Sequence, residues 1–355
     1  MFLAWNEIKN NKLRFTLIVG VLMLVSYLVF LLSGLANGLE NMNKAAVDKW
    51  KAQGVILTEE SDFNLPQSSL SLDDYDGEGA VEFASLAQIS SIATSGNNKS
   101  NVTIFGIDAD EFIMPNVTEG EAFQHANEVV AGDSLKEDGF KIGDELRLSS
   151  TEETLTIVGF TDNAKFIAAP VLYTDLQTLH NVRYGEAAEA YKDQINAFVI
   201  RTDDLANVNV KKELQVVDTT TFIENLPGYS EQNLTLTFMI YFLFVISAVV
   251  LAIFLYVLTI QKISIFGVMK AQGISSKYLA GSVIAQTFLL AFAGVILGFL
   301  LTMVTGAFLP DVVPIVFKYL DLLIYGVVLV FVSILGALFS IQTIVKIDPL
   351  KAIGG

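Results

Sequence analysis

The chain has 355 residues, 52% of them hydrophobic and only 17% charged, with a formal net charge of −16. Soluble domains are about 25% charged, so this composition argues against an ordinary cytosolic enzyme, and the acidity against nucleic-acid binding. The absence of Cys excludes disulfides, thiolate metal sites and Cys nucleophiles, and two His, His125 and His180, are too few for a His-only metal site.

The distribution of charge is more informative than its total. No Asp, Glu, Lys or Arg occurs between Arg14 and Glu40, Glu231 and Lys262, Lys277 and Asp311, or Asp321 and Lys346. A helix needs about 20 apolar residues to cross a hydrocarbon core, and each gap is long enough. The pattern predicts, in chain order, an amphipathic cytoplasmic helix over 1–14, a first span over 15–36 and an extracellular domain over 37–232. A second span over 233–261, a cytoplasmic loop over 262–278 and a third span over 279–309 follow. A short extracellular loop over 310–321, a fourth span over 322–345 and a cytoplasmic tail over 346–355 complete the chain. The first apolar run exceeds a signal-peptide core and reads as an uncleaved anchor. Lys9, Lys12, Arg14, Lys262, Lys270, Lys277, Lys346 and Lys351 cluster on one side, which places both termini on the cytoplasmic side of the cell membrane.

The external segment holds 13 basic and 34 acidic residues. Its short β-like runs (102–107, 128–130, 145–148, 154–160, 171–173, 197–200, 215–217) and helical patches near 175–181 and 220–225 predict a mixed α/β domain. The fold class expected is therefore four transmembrane helices with a large extracellular α/β domain inserted between helices 1 and 2. Gly34 and Gly38, Gly294 and Gly298, and Gly336 with Ser340 stand at helix-packing spacing. No ionisable residue lies at mid-membrane, which argues against an ion-coupled carrier. No phosphate-binding loop, nucleophile elbow, kinase signature or zinc-protease motif occurs. The chain is not expected to be an enzyme, so energy for any work must come from a partner.

Two stretches carry a resemblance: QKISIFGVMKAQG at 261–273, just after the second span, and the terminal KIDPLKAIGG. Gly267, Lys270, Ala271, Gly273, Asp348, Pro349 and Ala352 match motifs of the FtsX-like, MacB-type ABC transporter permeases; Ile265 stands where that family often has Glu. The layout is similar too, as is EVVAGDSLKEDGFKIGDELRL in the external domain. The likeness extends to the haem-exporting branch through SGLANGL (33–39), ENLPGYSEQNLTLTFMIYF (224–242), YVLTIQKIS (256–264) and GVMKAQGI (267–274).

The resemblance implies a plasma-membrane permease of a Gram-positive bacterium, paired as a homodimer in the lipid bilayer above two copies of a cytoplasmic ABC ATPase. It implies haem as transported substrate rather than permanent cofactor, ATP use by the partner, and movement passed mechanically from ATPase to external domain. Lys262, Ile263, Phe266, Gly267, Met269, Lys270 and Gly273 would couple to the ATPase, with Ile263, Phe266, Met269 and Ile274 in a groove on it; a helix lying on the membrane surface is the other reading. Haem iron accepts Tyr, His or Met. Near the outer membrane face these are Tyr229, at a position similar to a haem-associated Tyr of the family, and Met42, with Glu40 and Glu231 nearby. Phe30 and Phe238 would contact the porphyrin, unless they face lipid. Two other functions stay open: export of another hydrophobic cargo or a cationic peptide, which the acidic exterior would suit, and FtsX-like signalling to an extracellular partner.

Overall fold

The computed structural model describes Lys9, residues 12–310 and residues 313–345. Most of the expected N-terminal amphipathic helix and the whole tail, with Asp348, Pro349 and Ala352, lie outside the described residues. Thirteen strands and eight α-helices carry the described fold. In chain order they are α1 (Lys12–Trp50), β1 (Gly54–Thr58), β2 (Leu70–Ser71), β3 (Glu82–Ser95), β4 (Asn98–Ile107), β5 (Glu119–Gly120), β6 (Glu128–Gly132), α2 (Ser134–Glu137), β7 (Glu145–Leu148), β8 (Thr154–Thr161), β9 (Lys165–Phe166), β10 (Ala169–Asp175), α3 (Leu176–Tyr184), β11 (Gln194–Ile195), β12 (Ala197–Arg201), β13 (Leu214–Asp218), α4 (Thr219–Glu224), α5 (Tyr229–Gln261), α6 (Ile263–Ala271), α7 (Ser276–Phe308) and α8 (Tyr319–Val345). The chain divides into two compact units, Met1–Gly38 with Asn233–Gly355, and Leu39–Gln232.

Among the described residues, α1, α5, α7 and α8 are long and apolar enough to cross a membrane. Small residues set their packing. A Cβ on Gly294 or Gly298 would meet Leu22 or Ser26 of α1 within 2.7 Å, and one on Gly336 would meet the carbonyl of Ala248 on α5 at 2.5 Å. These glycines make the close helix contacts expected of them. Gly34 and Gly38 do not. They receive the segment between α7 and α8: Phe317 lies against Gly34, Pro314 against Gly38, and Val316 N–H donates to the Gly34 carbonyl at 2.9 Å.

Helix α1 does not end at residue 36, where the apolar run stops; it continues to Trp50. The extension is held by Lys44, which bridges Glu40 at 3.1 Å and Asp48 at 3.3 Å one turn to either side. It is also held by burial of Ala45, Ala46, Val47 and Trp50. Helix α5 likewise starts at Tyr229, four residues before the expected second span.

In the external unit, β3, β4, β10, β6, β8 and β7 pair in sequence, and β7 pairs back to β3. The six strands thus close a small barrel, with β4–β10 and β6–β8 parallel. Its interior holds Ala93, Val102, Ile104, Val129, Leu146, Leu155, Ile157 and Leu172. Strand β3 also pairs β12 with its first half, extending the sheet through β1 to β13. A second core lies outside the barrel, where Phe105, Val130 and Tyr173 pack with Trp50, Phe166 and Phe222.

Four external carboxylates sit below the usual range. Asp74 is held by Lys211, Glu128 by the Gln124 amide, Asp162 by Lys49 and Asp218 by the Thr221 hydroxyl. Glu111 is raised by burial and works in the opposite sense. A depressed folded pKa stabilises above the unfolded value, about 4, and that stabilisation is lost as pH falls through the folded value. Asp162→Asn should therefore lower stability near neutral pH by no more than about 1 kcal/mol, the exposed pair being screened. It should also flatten the loss of stability below about pH 4. Acid titration of the variant and the parent, followed by near-ultraviolet circular dichroism, checks this.

Candidate functional site

Tyr229 lies where α4 hands over to α5. Pro227 and Gly228 make the turn, Gly228 with φ +77°, and Tyr229 N–H donates back to the Leu226 carbonyl at 3.0 Å. The ring is 7% exposed and joins the core of Ala46, Val47, Trp50, Phe222 and Leu226. Its hydroxyl lies near the carboxylate of Glu40, which bridges Lys44. A phenol, a carboxylate and an ammonium are thus gathered at the base of the external unit, with Asp48 on the far side of Lys44.

This arrangement brings together an expected iron donor, Tyr229, and one of the two acids expected near it, Glu40, although 188 residues separate them in the chain. Met42 follows Glu40 by two positions, about 200° round the helix, and its carbonyl accepts the Ala168 amide at 3.0 Å. Glu231 is exposed on the first turn of α5. Lys44 and Asp48 escaped sequence reading, although the Glu40–Lys44–Asp48 spacing of four was visible.

Phe30 and Phe238 do not share a surface. Phe30 is 1% exposed, edge-on to Phe299 at 6.2 Å. Phe238 is 59% exposed and pairs with Phe242 at 4.8 Å. Phe30 forms part of the wall of an apolar groove of about 660 Å³ between α7 and α8, with Phe292, Phe299, Gly326 and Phe331. His125 lines a cleft with Asp108, Phe123 and Asp175. His180 is buried in α3, its Nε2 2.7 Å from the Gln194 carbonyl. No His, Asp and Glu group suited to a metal occurs among the described residues.

The loop between α5 and α7 contains helix α6, closed by Gly273. The Ile274 amide donates to the Met269 carbonyl and the Gly273 amide to Lys270, both at 3.0 Å, with Gly273 at φ +90°. That is the left-handed glycine cap of a helix end. Ser275 then caps α7 by accepting the Tyr278 amide. The apolar anchors expected to meet a partner turn inward. Phe266 is 6% exposed and packs with Leu279 and Val283 of α7, and Ile263, Met269 and Ile274 pack against the same cluster. The apolar side chains left outside are Ile265, 59% exposed, and Val268, 43%. The reason is that α6 carries apolar residues round most of its circumference, so its largest one went to the neighbouring helix. Lys270 Nζ reaches the Val345 carbonyl at the end of α8, at 3.2 Å.

Residues 15–216 match the MacB-like periplasmic core domain, and residues 237–349 the FtsX-like permease C-terminal domain. The chain is 28% identical to the "Putative hemin transport system permease protein HrtB" of Staphylococcus haemolyticus, over 100% of this chain and 99% of that one. A protein of the same name from Staphylococcus epidermidis is also 28% identical with the same coverage. An "Uncharacterized ABC transporter permease" of Mycobacterium tuberculosis is 23% identical over 100% of this chain and 99% of that one. Among solved structures, the periplasmic region of MacB from Actinobacillus actinomycetemcomitans aligns with a TM-score of 0.37 and 17% identity, covering 49% of this chain and 93% of that one. Because one family covers more than half of the chain and a second most of the rest, the chain belongs to the FtsX-like, MacB-type ABC transporter permeases.

Proposed function

We propose that this permease exports haem, taking it from the membrane under the drive of a separate cytoplasmic ABC ATPase. The observation that carries the reading is identity along the whole length to relatives named for hemin transport. Tyr229 beside Glu40 supports it chemically. Phenolate is a haem-iron ligand, and a carboxylate beside the phenol is placed to take its proton when iron binds. The assembly proposed is a homodimer in the plasma membrane of a Gram-positive cell, with both termini inside and two ATPases beneath. The ATPases press on Ile265 and Val268 of α6. Phe266 passes that displacement to α7, and α1 carries movement outward as one uninterrupted helix.

Haem titration of the purified permease in detergent, followed by the Soret band, tests the cargo. The parent should bind with a band typical of phenolate ligation. Tyr229→Phe should change that band and weaken binding about ten-fold or more, the loss of roughly 1.4 kcal/mol. Absence of saturable binding by the parent would refute haem as cargo. One observation favours a different cargo: the external segment carries 34 acidic against 13 basic residues, a field that attracts a cationic peptide and repels the haem propionates. Binding of a cationic amphipathic peptide in place of haem would decide for it.

A further inference from the structure

The loop and hairpin between β8 and β10 do something that none of the expected sites accounts for: they grip the external part of α1 at two levels. At the first level Ile167 N–H donates to the Asn43 carbonyl and Ala168 N–H to the Met42 carbonyl, each at 3.0 Å. Asn41 Nδ2 donates to Asn163 Oδ1 at 2.7 Å beside them, and Asn163 Nδ2 returns the bond at 3.4 Å. About two turns further along the helix, Lys49 Nζ donates to Asp162 Oδ1 at 2.8 Å and Thr161 Oγ1 at 3.0 Å. A carbonyl has two lone pairs, so the helix can accept these amides without surrendering its own ladder.

The backbone of the gripping segment is unusual. Asn163, Ile167 and Ala168 have φ of 44°, 48° and 63°. Asn visits this left-handed region readily, but a β-branched Ile does so rarely. A strained conformation of this kind persists only where its surroundings over-determine it. Here the surroundings are the helix carbonyls on one side and the external core on the other. Phe166 is 1% exposed and stacks edge-on with Phe105 at 5.3 Å, and Ala164 is buried beside it. The tip therefore has a root in the core and its donors on the helix.

We propose that residues 161–168 form a fixed strut that fastens the external extension of α1 to the ectodomain, so that the two move as one body during the transport cycle. This rests on the mechanical reading of transport above. The bonds that make the strut run to helix backbone carbonyls, so they set position rather than sequence preference. The two levels, about 9–10 Å apart along the helix, resist rotation of the helix as well as sliding.

The test uses the full-length permease with its ATPase in lipid nanodiscs. The parent has no Cys, so Asn41→Cys with Asn163→Cys places two spin labels without background. The strut requires one narrow distance distribution that is the same in the nucleotide-free, ATP-bound and vanadate-trapped states. A second or broadened population in any nucleotide state overturns it. This readout does not involve cargo, so a permease that fails to bind haem leaves the strut to stand or fall independently. A functional arm follows. Inserting Gly-Gly between Ile167 and Ala168 should leave ATP hydrolysis within about two-fold of the parent but abolish export, since the loss falls on transmission and not on the chemical step. A short thiol crosslinker between the two Cys should restore export to the insertion variant. Export by the insertion variant at the parent rate, or inhibition of the uninserted protein by the crosslinker, overturns the proposal. Near-ultraviolet circular dichroism of the Trp50 environment confirms that the insertion leaves the external core folded.

Discussion

Gly38→Val should deny the membrane unit its folded state. A Cβ at this position would lie 2.0 Å from the Pro314 carbonyl oxygen and 2.4 Å from its carbon. These are backbone atoms, so no rotamer change relieves the clash. Nor can the segment retreat easily. Val316 N–H is bonded to the Gly34 carbonyl at 2.9 Å, and the Phe317 ring is wedged where a Cβ on Gly34 or Gly306 would each come within 2.6 Å of it. Overpacking commonly costs 1–3 kcal/mol, and a clash with pinned backbone on this scale should reach about 3 kcal/mol or more. Gly20→Val is the control, because a Cβ there meets nothing within 4 Å. Thermal unfolding in detergent, followed by loss of the monodisperse peak, separates them. Equal melting of the two variants would mean that the segment between α7 and α8 is not seated on α1 as described.

Gly38 also shows where sequence reading of this fold succeeds and where it stops. The four spans were legible because a charge in hydrocarbon is expensive, so gaps in Asp, Glu, Lys and Arg mark them directly. The partner of each small residue was not. Gly34 and Gly38 have the same spacing as Gly294 and Gly298, yet one pair seats a loop and the other a helix. The ends of the helices were not legible either, since α1 continues for 14 residues beyond the apolar run by means of Lys44 ion pairs and burial of Trp50. In the external unit most short strands were visible as β-branched runs, but the longest strand, β3, was missed. Its sequence, EFASLAQISSIATS, is rich in Ser and Ala, and it buries Ser85 and Gln88 because it is sandwiched between neighbours on both sides. At the candidate site the donors Tyr229 and Glu40 could be named from residue type and position. Their proximity could not, because it depends on where the α4–α5 turn meets α1. The face that α6 leaves exposed was not legible for a related reason: Ile263, Ile265, Phe266, Val268 and Met269 encircle the helix, so periodicity selects no face.

Ile265→Asp combined with Val268→Asp should leave the permease inserted and folded but unable to hold its ATPase. Both side chains are exposed on α6 and neither belongs to the cluster of Phe266, Leu279 and Val283, so the change removes nothing from the packing of the membrane unit. On the partner's surface it would bury two carboxylates in place of two apolar anchors. An unpaired buried charge is strongly unfavourable, and central interface residues commonly contribute 2 kcal/mol or more. Co-purification should therefore fall by at least about 30-fold in affinity, the equivalent of 2 kcal/mol, with permease yield and melting unchanged. Phe266→Asp should behave in the opposite way, lowering the yield of folded permease, since that side chain is buried against α7. If instead the double variant still captures the ATPase while Phe266→Leu releases it, the inward cluster itself must open to form the interface. Transmission would then begin with α6 unpacking from α7 rather than with α6 and α7 moving together.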